Sequence, residues 1–377
     1  MKTIYTIIYV LLSLLALGCV TKEPQEKSSS GLKDVFEGKF LIGTALDTLQ
    51  IKGEDTLAIE LVKQHFNALV AENCMKAERI FSKEWTYDFR TADQFVDFGV
   101  KNNMFMHGHT LVWHSQVPDW FFTDEEGNEV SREVLIERMK DHIFALIGRY
   151  KGRVTAWDVV NEAFENDGSL RESKYYKIIG PDYFKLAFEF AHEADPDAKL
   201  YYNDYAMTIP SKRDGIIAFI RELQKDSVPI HGVGMQGHYS LDNPSIERVE
   251  QSILKLSELN IPVMITELDI TVLPWPEKSM TADVGLSHEF NKKYDPYSAG
   301  LPDSVDVMLN QKYYELFKMF EKHSDKIDRV TLWGVNDTQS WRNYWPIETR
   351  TDYPLLFDRE YKAKPVVERL ITESTSI

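Results

Sequence analysis

Short apolar runs alternate with longer stretches of helical spacing along most of this chain, and the alternation predicts its fold. Candidate strands fall at residues 40–46, 68–71, 105–112, 154–160, 200–203, 232–236, 263–266 and 330–333, each a run of aliphatic, β-branched or aromatic positions. Between them, 133–149, 183–194, 212–225 and 246–259 carry apolar residues three and four apart, as helices with one buried face do. Strands that are apolar throughout, with helices between them, form parallel sheets covered on both sides. Eight of them point to a single (β/α)8 barrel, an α/β fold. A doubly wound open sheet is the alternative, but no glycine-rich phosphate loop follows an early strand.

The length of 377 residues fits one such unit, because closed barrels run to about 250 residues or more as one domain. The N-terminus reads differently. Lys2 precedes an uncharged run from Ile4 to Leu17, too short for a comfortable bilayer span and suited to the apolar region of a signal peptide. It ends in Leu15, Ala16, Leu17, Gly18 and Cys19, which resembles the cleavage box of bacterial lipoproteins, with Ala16 where leucine is usual. The resemblance implies a signal peptide over 1–18, acylation of Cys19, and an exported chain held on a bacterial membrane by that lipid. An ordinary secretory signal is the alternative. Residues 19–31 are polar and without periodicity and read as a flexible tether, leaving 32–377 for the barrel. With Cys19 acylated, Cys74 is the one remaining thiol and no intramolecular disulfide forms.

Charge narrows the partners. Lys and Arg total 43 against 59 Asp and Glu, a net charge of −16 that repels phosphate backbones, so nucleic acid is not expected. A neutral polymer such as a glycan is compatible with it. A monomer is expected.

The chemistry lies where the strands end. Polar or aromatic residues follow seven of the eight: Glu72 and Asn73, Trp113 and His114, Asn161 and Glu162, Asn203 and Asp204, Gln236 and His238, Glu267 and Asp269, Trp333 and Asn336. One such cluster is an ordinary turn or cap. Seven, in a barrel whose strand C-termini open on one face, converge on one cleft. Glu162 and Glu267 each follow an apolar run directly, and two carboxyl groups across a cleft suit glycoside hydrolysis, one as acid and the other attacking or activating water. A hydrogen bond from His238 or Asn161 would favour a carboxylate at Glu267, and that charge would favour a proton on Glu162.

The segments AENCMKAE, HGHTLVWHSQVPDW, WDVVNEAF, YNDY, GMQGHYS, ITELDI, LWGVND and PLLFD, in this order, resemble family 10 of the glycoside hydrolases, a xylanase family built on a (β/α)8 barrel. The resemblance covers roughly residues 35–370. It implies endo-hydrolysis of β-1,4-xylan with retention of configuration through a covalent glycosyl-enzyme intermediate, without metal or other cofactor. Position by position it makes Glu162 the acid/base and Glu267 the nucleophile, with Asn161, His238 and Asp269 holding the nucleophile and the reacting sugar. It places Glu72, Asn73, Lys76, His109, Trp113 and Gln236 along the non-reducing side of the cleft, and Trp333 and Trp341 at the reacting subsite. Asn203 and Asp204 are read as scaffold first, and most of the other six tryptophans as core.

Three other readings compete. His107, His109 and His114 suggest a metal cluster, since His-x-His puts two imidazoles on one strand face. A binding protein that lost its chemistry would keep the barrel, but both glutamates are present. A β-1,4-glucanase would keep the mechanism and admit the extra CH2OH of glucose, and Trp341 is the residue to crowd it out. Finally, 270–309 is long, rich in proline and aromatics and without clear periodicity. It is expected to overhang the cleft beside Glu267, or else to be a surface insertion without order.

Overall fold

Eight parallel strands close on themselves in the computed structural model, which describes residues 30–276 and 287–374. They are β1 (Leu41–Leu46), β2 (Ala68–Ala71), β3 (Phe105–Gly108), β4 (Ala156–Asn161), β5 (Lys199–Asp204), β6 (Gly232–Met235), β7 (Val263–Thr271) and β8 (Ile327–Leu332). Each pairs with its neighbours in chain order, and β1 pairs with β8 to complete the ring. The expected (β/α)8 barrel is what forms. Its outer helices are α1 (Thr56–His65), α2 (Arg90–Lys101), α3 (Arg132–Tyr150), α4 (Tyr183–Ala194), α5 (Pro210–Lys225), α6 (Ile246–Ser257), α7 (Asp303–Lys322) and α8 (Pro365–Ser374). Asp55, Ser131 and Ser245 accept the orphan N–H groups at the starts of α1, α3 and α6, and Pro210 opens α5, where a missing N–H costs nothing.

Two cores result. The larger lies between barrel and helices and takes the outward residues, such as Trp157, Ile265, Leu268 and Ile270. Inside the barrel, its lower end is filled by Ala156, Tyr201 and Met264 with Phe105 beside them, and the Arg329 guanidinium lies over Phe105 with 5.0 Å to the ring centroid. At the upper end the interior residues Ala45 and Val70 are small and lie under Trp333 and Trp341. The large side chains fill the floor and the small ones lie toward the C-terminal face, the face on which barrels of this kind place their sites.

Several expectations need correction. The third strand does not run on to residue 112: it stops at Gly108, and Val112–Trp113 forms a separate short piece against β4, because Thr110 and Leu111 turn to bond the Asp158 carbonyl. β7 continues five residues beyond the expected end at 266, to Thr271. Of the other six tryptophans only Trp113 and Trp157 are buried, while Trp85 is 40% exposed. The stretch 270–309 is not without regular structure, since α7 begins at Asp303. Its described parts are tied down: His288 N–H donates to the Pro346 carbonyl at 2.8 Å, Thr351 N–H to Asp295 at 2.9 Å and Tyr353 Oη to the Tyr297 carbonyl at 2.9 Å. Residues 277–286, the signal peptide over 1–18, Cys19 and the tether up to residue 29 lie outside the described residues. Among the described residues no helix is long and apolar enough to cross a membrane.

Candidate active site

Main-chain bonds carry the barrel ladder past the strand ends and fix the two glutamates. Glu162 N–H donates to the Asn203 carbonyl at 2.9 Å, Gln236 N–H to Asp204 at 3.0 Å and Glu267 N–H to Gln236 at 2.7 Å. Register shifts then aim the side chains. In β7 the pairing slips between Ile265 and Leu268, so that Thr266 and Glu267 both face inward, although neighbours on a regular strand point oppositely. In β4 a slip between Asp158 and Val160 leaves Val159 and Val160 both in the outer core and turns Asn161 in to meet Asn203. Gly234 makes room: a Cβ there would lie 2.5 Å from Asn203 Oδ1.

Glu162 itself has φ of 58°, a left-handed backbone that a residue with a side chain adopts at about 1–3 kcal/mol. Neighbours hold it there. Arg171 Nε donates to the Glu162 carbonyl at 2.9 Å, and Ala163 N–H donates to Tyr202 Oη at 3.1 Å. The Glu162 carboxyl accepts Trp113 Nε1 at 2.9 Å and Gln236 Nε2 at 2.9 Å.

Glu267 accepts Asn203 Nδ2 at 2.8 Å on one oxygen and meets His238 Nε2 at 3.2 Å on the other. The far nitrogen of His238, Nδ1, is 3.0 Å from Asp269. With both ring nitrogens facing carboxylates, the imidazole is protonated. Burial alone would depress it, but Asp269 and Glu267 outweigh burial and hold it up at about 9. Burial opposes the charge of Asp269 too. Arg342 and His238 prevail, lowering it to about 2, and Arg342 contributes Nε and Nη2 at 2.8 and 2.7 Å. Trp341 Nε1 donates to the second Asp269 oxygen at 2.7 Å.

One expected contact is different. Asn161 donates nothing to Glu267; its Oδ1 accepts Asn203 Nδ2 at 3.0 Å. Asn203, read as scaffold from the sequence, is the side chain that reaches Glu267, and Thr266 Oγ1 fixes its amide by donating to Oδ1 at 2.6 Å. Asp204 does serve as scaffold, pairing with Lys212 at 2.7 Å, both fully buried. Asn336 caps a turn by accepting Thr338 N–H at 2.9 Å. His114 packs edge-on to Trp113.

The remaining predicted residues converge on the same mouth. Lys76 donates to Asn73 at 3.1 Å and lies over the rings of Trp113 and Trp333 at 5.2 and 6.0 Å. Burial pushes the Glu72 carboxyl up to about 7 despite the Lys76 ammonium. Burial likewise lowers Lys76, against Glu72, Glu267 and Glu162, which favour its charge. His109 meets Trp333 edge-on at 5.3 Å. Aromatic faces beside amides, carboxyls and an ammonium are what a polyhydroxylated chain needs from a protein.

The histidine pair is otherwise engaged. His107 Nε2 and His109 Nδ1 each lie 2.9 Å from Asp158, and Arg329 donates to His107 Nδ1 at 3.0 Å. Burial would raise the Asp158 carboxyl, but the two imidazoles hold it far below the usual range. A guanidinium on one of the two rings opposes a cation there. Among the described residues no group of three or more His, Cys, Asp or Glu is placed to hold a metal ion. Arg342 and Thr266 are site residues that sequence reasoning missed, and Asn203, singled out at a strand end, has a closer role than the scaffold one read for it. Of the two missed, only Arg342 gave a signal, as the neighbour of Trp341.

Known proteins resemble this chain along most of its length. The chain is 48% identical over 340 residues to an endo-1,4-beta-xylanase A of Xylanibacter ruminicola, covering 90% of this chain and 92% of that one. A solved endoxylanase retrieved from sugarcane soil metagenome superposes with a TM-score of 0.87 at 46% identity, covering 91% of this chain and all of the other. A further structure, 36% identical with a TM-score of 0.80 and covering 90% of this chain and 99% of its own, is of a mutant in complex with xylotriose. Residues 31–373 match Glycosyl hydrolase family 10, and the chain belongs to that family.

Proposed function

We propose that this protein is an endo-1,4-β-xylanase of plant polysaccharide degradation that works by retaining double displacement, with Glu267 as nucleophile and Glu162 as acid/base. The observation that carries the reading is the unequal pair of carboxyls in one barrel mouth. Glu267 faces a protonated imidazole and an amide, whereas Glu162 receives only the neutral N–H groups of Trp113 and Gln236. The first surroundings suit a carboxylate that attacks the anomeric carbon. The second suit a group that gives a proton to the leaving oxygen and later takes one from water. Such a mechanism puts the two carboxyls about 5 to 5.5 Å apart. Glu72, Asn73, Lys76, His109, Trp113 and Gln236 then hold the non-reducing sugars, and Trp333 and Trp341 border the reacting one. The names of the relatives and the xylotriose bound to one of them support xylan and its oligosaccharides as substrate.

The test is a product time course on xylan, with β-1,4-glucan and mannan alongside. Mixed xylo-oligosaccharides appearing early from xylan alone are expected; cleavage of glucan in preference to xylan would remove the substrate assignment. The proposal includes export as a monomer anchored through acylated Cys19, supported by the apolar run from Ile4 to Leu17 ahead of that cysteine. Radiolabelled palmitate should enter the full chain and not its Cys19→Ala variant, and equal labelling of both would end the anchoring idea.

A further inference from the structure

Trp341 is backed by a second wall. Trp345 stacks on it with ring centroids 5.2 Å apart and planes 17° from parallel, and Trp275 meets Trp345 edge-on at 5.3 Å. Trp341 and Trp345 come from the loop after β8, and Trp275 from the loop after β7. Arg342 clamps the two loops together, lying 5.1 Å from the centre of the Trp341 ring and 5.7 Å from that of Trp275 while it bonds Asp269. The backbone is fastened as well: Trp345 N–H donates to the Trp341 carbonyl at 3.0 Å, and Arg350 Nη2 donates to the carbonyls of Arg342 and Trp345 at 3.1 and 3.0 Å. On the cleft side, the Trp341 ring lies 4.9 Å from the imidazole of His238, which touches Glu267. Trp341 cannot swing aside without unstacking Trp345, breaking its own bond to Asp269 and disturbing Arg342.

We propose that Trp345 and Trp275 are positioning residues which, by holding Trp341 immobile, make the reacting subsite reject sugars that carry an exocyclic CH2OH. The inference rests on the reading of Trp341 as a border of that subsite. A pentose and a hexose differ there by one small group, and a site excludes the larger sugar only if the wall it meets does not yield. A wall that yields loses discrimination without losing the smaller substrate. The loop residues thus act on specificity through Trp341 rather than by touching the sugar.

The experiment compares kcat/KM on 4-nitrophenyl β-xylobioside and β-cellobioside for the full chain and for Trp345→Ala, Trp275→Ala and Trp345→Phe. In Trp345→Ala the cellobioside-to-xylobioside ratio should rise about tenfold, the scale of one small group in a pocket, mainly through kcat on the cellobioside. Trp275→Ala should shift it the same way by less, and Trp345→Phe should restore most of the parent ratio. An unchanged ratio, or a parallel fall on both substrates, overturns the proposal. Should Trp345→Ala not fold, the ratio in Trp275→Ala decides. A parent that prefers the cellobioside would instead overturn the xylanase reading, and is seen before any variant is made.

Discussion

Glu162 and Glu267 are the same residue in one barrel mouth, one just past the end of β4 and the other within β7, yet they are held by different means. Glu267 sits at the end of a charged chain, His238 to Asp269 to Arg342, in which every ionised group faces an opposite one. Glu162 has no cation on its carboxyl, only an indole and an amide N–H, and its position is set through a strained backbone held by Arg171 and Asn203. Charge fixes one and geometry the other. A carboxyl that must keep its charge through attack gains from the first arrangement, and one that must exchange a proton twice in a cycle gains from the second.

Substitution of the two glutamates should break the symmetry most sharply. Glu267→Ala should lose about 10^4-fold or more in kcat on every substrate, since no covalent intermediate forms without it. Glu162→Ala should lose comparably on xylan but keep its first step on a dinitrophenyl xylobioside, whose leaving group needs no proton, and so show a burst of dinitrophenol followed by slow turnover. Bursts from both variants, or from neither, would undo the assignment of roles. Next in size is a cost in stability. Lys212→Met leaves Asp204 buried without its partner, at about 3–5 kcal/mol, read as a lower denaturation midpoint with kcat/KM at low temperature near that of the parent. Asn203→Ala removes one donor from Glu267 and should lower kcat by about 10^2-fold on activated and natural substrates alike; a loss confined to natural substrates would place Asn203 with Glu162 instead.

The barrel was legible because its strands are apolar on both faces and its helices on one, so the two periods separate cleanly in the sequence. The strand-end clusters were legible for the same reason, as the first polar residues after runs such as those leading to Glu162 and Glu267. The bulges were not. Nothing in ITELDI says that Thr266 and Glu267 share a face, and without that slip Asn203 has no visible path to the nucleophile. α7 was hidden because Val307 and Met308 near its start are 67% and 57% exposed, which blurs the apolar stripe that marks a helix. Arg342 could not be placed, since its partner Asp269 is 73 residues away.

The smallest effect tests the charged side of the comparison directly. An imidazole held at about 9 in the folded chain, against its ordinary 6.5, binds its proton more tightly folded than unfolded. His238 therefore contributes stability that is complete below about pH 6.5 and is lost as the pH rises through about 9. Asp269, lowered to about 2, works in the opposite sense: its contribution is present above about pH 4, fades only toward pH 2 and stays constant across the alkaline window. In thermal melts from pH 6 to 10, His238→Gln should fall below the parent by most near pH 6, and the two curves should converge above pH 9. A gap of constant size would mean that His238 stabilises this site by packing, and the contrast with Glu162 would then be one of shape rather than charge.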